Sequence, residues 1–142
     1  MNPTDYTTDF YAWTQEQAKL LRNKEIQRLD WVNIAEEIED MGRSEKRQLE
    51  SRLEVLIMHL LKWQFQPNLR SRSWQLTIKE QRLRLEKLLA ENPSLKSRLD
   101  DVIAKIYPLA VIGAEKETGL SIFPETCPYE LLEIFSAEFL PE

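Results

Sequence analysis

A chain of 142 residues is the length of one domain, long enough to take roughly two-thirds of its unfolded surface out of water. Hydrophobic residues make up 42% and charged residues 30%, which excludes intrinsic disorder, collagen-like repetition and a disulfide-rich secreted scaffold. The formal charge of −5 is segregated: residues 1–42 carry 4 basic and 9 acidic side chains, residues 43–87 carry 11 and 5, and residues 88–142 carry 4 and 10.

Three glycines, 21 leucines and four valines favour helix over strand, so the expected class is all-α. The single cysteine, Cys127, closes no internal disulfide and has no His or Cys at metal-ligand spacing, which suits a reducing compartment. The first 20 residues hold no basic start followed by an apolar block, so no secretion signal is expected. The longest apolar runs, such as Val55 to Met58, are far short of the ~20 residues that span a membrane. The expectation is a soluble, cytoplasmic protein with no membrane partner.

In chain order, a first helix starts at Thr8 or Asp9 and lays Phe10, Trp13, Gln17, Leu20 and Leu21 on one face. After the polar stretch from Arg22 to Arg28, Asp30 caps a second helix whose apolar stripe is Trp31, Ile34, Ala35, Ile38 and Met41. Whether Gly42 breaks this helix stays open at the sequence level. From about Ser44 to Gln66 runs the most apolar helix, the expected centre of the bundle, stopped by Pro67. A fourth helix carries Trp74, Ile78, Gln81, Leu85, Leu88 and Leu89 and ends at Asn92-Pro93. A fifth, with Leu95, Leu99, Val102, Ile103, Ile106, Ala110 and Gly113 on one stripe, holds Pro108 and is capped by Gly119. A short helix from Tyr129 to about Phe135 is expected to cover the core with Leu131, Leu132 and Phe135. Together these give a single-domain helical bundle over residues 1–142, with four to five main helices and a short C-terminal one.

Few side chains carry chemistry. His59, the lone histidine, falls at the margin of an apolar face and reads first as a boundary histidine satisfied by one hydrogen bond. Glu117 continues the stripe Ile106, Ala110, Gly113 by one turn, so a carboxylate is expected to face the core and to need a partner. Gly113 allows another helix close to it. Arg82, beside Ile78, is expected to pair with an inward carboxylate, Glu37 or Glu117, and Gln17 and Gln81 to hydrogen-bond across helices. Glu36, Glu37, Glu39 and Asp40 read as a solvated helix face. With one histidine and no Glu-x-x-His, a di-metal carboxylate site is not completed, and neither metal nor cofactor is expected. Phosphate-cradling glycine loops, zinc-protease helices and serine-hydrolase elbows are all missing from the sequence.

The blocks Asp9-Phe10-Tyr11-Ala12-Trp13, Asp30-Trp31, Ile34 to Gly42, His59-Leu60-Leu61-Lys62-Trp63, Ser73-Trp74 with Thr77-Ile78 and Arg82, Asn92-Pro93-Ser94-Leu95, Glu117-Thr118-Gly119-Leu120 and Cys127-Pro128-Tyr129 follow one another in order. In these the chain resembles the bacterial, largely cyanobacterial, family catalogued as domain of unknown function 29. The resemblance implies an all-helical fold and transfers no activity, substrate or cofactor. The polar residues within its blocks are Glu36, Glu37, His59, Lys62, Arg82 and Glu117, which form the candidate cluster.

Three functions follow as expectations. The first is a non-enzymatic module that binds a protein partner or a second copy of itself. The second is a small-ligand binder or enzyme with a polar pocket of His59, Glu37, Arg82 and Glu117. The third and weaker is nucleic-acid binding through residues 43–87, disfavoured because the chain as a whole is acidic.

Overall fold

The computed structural model describes residues 5–142, and among them the chain is all-α with no strand. The elements are α1 (Phe10–Arg22), α2 (Trp31–Phe65), α3 (Arg72–Glu91), α4 (Leu99–Thr118) and the short α5 (Leu131–Phe135). Single 3-10 segments, Ile26–Arg28, Pro67–Leu69 and Pro93–Arg98, fill the connections. Gly42 does not interrupt α2, which runs for 35 residues. One glycine costs a helix interior only about 1 kcal/mol, and strong helix formers on both sides outweigh it. The described residues fall into two compact units divided between Ser44 and Glu45.

In the first unit, α1 starts as its sequence dictates: the Asp9 carboxylate accepts from the free Ala12 N–H at 3.0 Å. Trp13, Gln17 and Leu20 form its buried face, while Phe10 and Leu21, expected on that face, are about half exposed. Gln17 makes its contact beyond its own helix, its Oε1 accepting from the Asp30 N–H at 2.8 Å. Asp30 in turn accepts from Trp13 Nε1 at 2.9 Å, from Asn33 Nδ2 at 2.8 Å and from the Asn33 N–H at 3.4 Å. These donors hold its carboxyl below the usual range.

The second unit holds one hydrophobic core, built on Leu49, Leu53, Leu56, Ile57, Leu60 and Leu61 of α2. Onto them α3 brings Ile78, Leu85 and Leu88, and α4 brings Val102, Ile103, Ile106 and Ala110. The near-continuous apolar surface of this half of α2 therefore meets cover on several sides. Ser71 Oγ accepts from the Trp74 N–H at 3.1 Å to open α3, and Gly119, at φ 74°, closes α4 by returning its N–H to Glu115 O at 2.8 Å. Pro108 lies inside α4. The tail is tied down by hydroxyls: Tyr107 donates to Pro124 O at 2.7 Å, and Tyr129 to Gln64 Oε1 at 2.8 Å. In α5 the covering residue is Ile134, fully buried, with Leu131 and Phe135 partly so; Leu132, expected to cover the core, is exposed. The capping box between Glu130 and Glu133 starts this helix two residues later than the Cys127-Pro128 signal suggests.

Candidate functional site

Lys62 lies on the most apolar part of α2 and is only 6% exposed. A buried ammonium needs opposite charge, and Lys62 Nζ finds it in the Glu117 carboxylate. It also stands 4.5 Å from the centre of the Trp74 ring, whose face attracts a cation. Three helices thus meet at one charge: α2 supplies the cation, α4 the anion and α3 the aromatic cover. Glu117, expected to face the core, keeps 48% of its side chain in solvent, because by this last turn α4 is running out of the core; its Oε2 reaches inward instead.

His59 lies one turn earlier on α2 and is half-buried. Its Nδ1 stands 2.8 Å from Val55 O, an acceptor, so Nδ1 carries the proton and Nε2 keeps its lone pair. Burial lowers its pKa from the ordinary value, and Lys62 adds to the lowering; the Val55 carbonyl and Glu117 oppose it. His59, Lys62 and Glu117 therefore share one electrostatic neighbourhood.

Arg82 is elsewhere engaged. It is 7% exposed, and within its unit the expected ion pair with Glu117 does not form: its partners are three backbone carbonyls. Nε donates to Ile134 O at 2.8 Å, Nη1 to Phe139 O at 2.8 Å and Nη2 to Glu133 O at 3.0 Å. The end of a helix leaves carbonyls without intrahelical donors, and a planar fork of N–H groups fits several at once. Burial lowers the Arg82 pKa, which still leaves it a cation. Gln81 does hydrogen-bond across helices, accepting from Arg52 Nη1 at 3.4 Å.

Glu36 and Glu37 are held within the first unit. Glu36 accepts from Arg43 Nη2 at 3.0 Å, in an exposed network that adds Glu39 and Asp40, and Glu37 accepts from the Tyr6 hydroxyl. That bond to Glu37 raises the Tyr6 pKa to about 12. The apolar stripe beside them faces outward: Trp31 is 57% exposed, Ile38 59% and Met41 62%, with Ala35 and Gly42 exposed between them. A Cβ built on Gly42 would meet nothing within 4 Å. Trp31, Ala35, Ile38 and Gly42 recur at i, i+4, i+7 and i+11, which is one helix face.

Among the described residues no group of three or more His, Cys, Asp and Glu side chains is gathered so as to hold a metal ion, and no helix is long and apolar enough to cross a membrane. Arg52, which the sequence did not single out, leaves its buried Nε without a hydrogen-bond partner.

Helices throughout, a leucine core and a buried lysine paired across helices define an all-α protein of helix-packing type. The chain belongs to the family described as Domain of unknown function DUF29, whose family model matches residues 6–140, nearly its whole length. No curated protein and no solved structure matches it.

Proposed function

We propose that the chain is a non-enzymatic protein-interaction module, and that its contact surface is the outward face of the first part of α2. One observation carries this: Trp31, Ala35, Ile38 and Gly42, with Met41 beside them, form an apolar stripe that stays in solvent. Side chains of this size gain about 1.5–3 kcal/mol on full burial, so covering Trp31, Ile38 and Met41 together repays much of the cost of association. A contiguous stripe of this kind, rimmed by polar residues, is what an interaction face looks like, and tryptophan is the commonest anchor at such faces.

The charge of this part of the chain specifies the partner's chemistry. Glu39 borders the stripe, Glu36, Glu37 and Asp40 occupy the other sides of the same helix, and residues 1–42 carry 9 acidic against 4 basic side chains. A second copy would bring like charge to like charge. A basic amphipathic helix of another protein brings the opposite sign with a matching apolar face. A cytoplasmic setting belongs with this function and is supported by the single thiol, Cys127, which has no second cysteine in the chain to pair with.

The test is calorimetric titration of the purified chain with two synthetic amphipathic helices that share a leucine face, one rimmed by lysine and the other by glutamate. The lysine peptide binds, more weakly as salt rises, and Ile38→Asp abolishes binding while leaving helix content intact. Equal binding of both peptides, or of neither, overturns the proposal. Sedimentation that shows a dimer dissolved by Ile38→Asp replaces the basic partner with a second copy.

A further inference from the structure

A groove of about 600 Å³ runs between α3, the 3-10 segment Pro93–Arg98 and the chain after α5. That is within the ~300–1,000 Å³ of small-molecule sites. Its apolar lining comes from Ile78, Leu83 and Leu89 on one side and from Phe135 and Leu140 on the other. Arg82 lines it too, and the second wall stands where it does because Arg82 holds Glu133, Ile134 and Phe139 by their carbonyls.

Arg82 brings to this groove a cation more than nine-tenths buried, with no carboxylate partner among the described residues. Carbonyl dipoles satisfy three of its five N–H groups and leave two. They offset the charge only in part, and a buried charge is stabilised by an opposite one. Lys79 and Lys96 line the same groove, each without an ion-pair partner among the described residues. Glu86 and Glu138 complete its ionisable lining, so three cations face two carboxylates. One positive charge in excess matches one negative charge, not the two of a phosphate monoester.

We infer that this groove binds an amphipathic monoanion: a carboxylate drawn to Arg82 and the lysines, on an unbranched apolar tail laid along Leu83, Leu89, Phe135 and Leu140. The site is independent of the α2 face and of any protein partner.

The experiment is calorimetric titration of the full chain with decanoate below its micellar concentration, beside decanol, decyl phosphate and decyltrimethylammonium. Decanoate binds about ten-fold or more tighter than decanol, the worth of one charge-assisted contact, and the cationic amphiphile binds worst. Ala90→Trp, which fills the groove from α3, abolishes binding, and Lys96→Glu weakens it about ten-fold without unfolding the chain. Ile38→Asp, on the α2 face, leaves it unchanged. Decanol binding as well as decanoate, decyl phosphate binding best, full binding by Ala90→Trp or loss on Ile38→Asp each overturns the proposal. Because Arg82 also holds the tail, Arg82→Met is read alongside its circular dichroism; the groove-filling and lysine variants decide the outcome without it.

Discussion

The sulfur of Met58 lies so close over Gly113 that a Cβ built on the glycine would stand 2.7 Å from it. A side chain of α2 sits here directly on the backbone of α4, in the space that a residue with a Cβ would fill. Two effects of similar size oppose each other on Gly113→Ala: alanine is the better helix former by about 1 kcal/mol, while overpacking costs about 1–3 kcal/mol. The obstructing atoms belong to a flexible thioether that can turn aside. Gly113→Ala therefore changes stability by less than about 1 kcal/mol, whereas Gly113→Val, with no room for two further methyls, loses about 2 kcal/mol or more. In a Met58→Ala background the same alanine raises stability by about 1 kcal/mol. Urea unfolding of the parent chain, Gly113→Ala, Met58→Ala and their double variant reads the cycle, and an equal change in both backgrounds would show that the sulfur is not the obstacle.

The pair of Lys62 and Glu117 is unequal, since the lysine is buried and the carboxylate is half in water. Removing the anion strands a buried cation; removing the cation leaves a carboxylate that solvent can serve. Glu117→Gln is thus the costlier change, at about 2–3 kcal/mol, below the full figure for a buried pair because Glu117 is partly solvated. Lys62→Met keeps the apolar stem against Trp74 and costs about 1 kcal/mol or less. Denaturant midpoints at pH 7 compare the two, and the reverse order would contradict the burial of the ammonium.

Arg82→Lys preserves charge and removes the fork. A single ammonium cannot reach Ile134 O, Phe139 O and Glu133 O in the geometry a guanidinium spans. The loss is about 2–3 kcal/mol, the worth of two charge-assisted bonds to buried carbonyls. It is local: backbone amides of residues 131–140 exchange faster with solvent deuterium, while those of Leu53 to Leu61 keep their protection. Uniform loss of protection would mean that the fork supports the whole unit.

His59 makes stability depend on pH with a definite sign. Its folded pKa is below the ordinary 6.5, so between the two values the unfolded chain binds more protons. The stabilisation is complete above pH 6.5 and fades as pH falls through the lower, folded value. His59→Gln, whose amide can still donate to Val55 O, flattens the stability curve below pH 6.5 and leaves it unchanged above. Proton NMR of the single imidazole gives the folded value directly; one above 6.5 would reverse the slope.

Much of the fold was legible because its signals are local. Asp9 and Gly119 cap the helices their sequence positions suggest, and Gln17, polar on an apolar stripe, does reach beyond its helix. Other features depend on what a linear pattern omits. Lys24 ends α1 in the left-handed region, φ 58°, without the glycine that usually marks such a stop. The stripe from Trp31 to Met41 has core periodicity, yet only Ile34 of it is partly buried and the rest stays in solvent, because periodicity shows that a face exists and not what covers it. The partners of Arg82 are not legible in the sequence, because helix-end carbonyls belong to no residue type. Lys62 enters the sequence reading only through its family block; the physical signal that distinguishes it is a lysine set between the apolar run Leu53 to Leu61 and Trp63.

The clasp formed by Arg82 has a consequence for how this C-terminus tolerates change. Its acceptors are main-chain oxygens, which every amino acid supplies, so the identities of residues 133, 134 and 139 matter to it far less than their separation. Exchanging side chains between Ile134 and Phe139 leaves the grip intact, while inserting or deleting a single residue there pulls one oxygen out of reach.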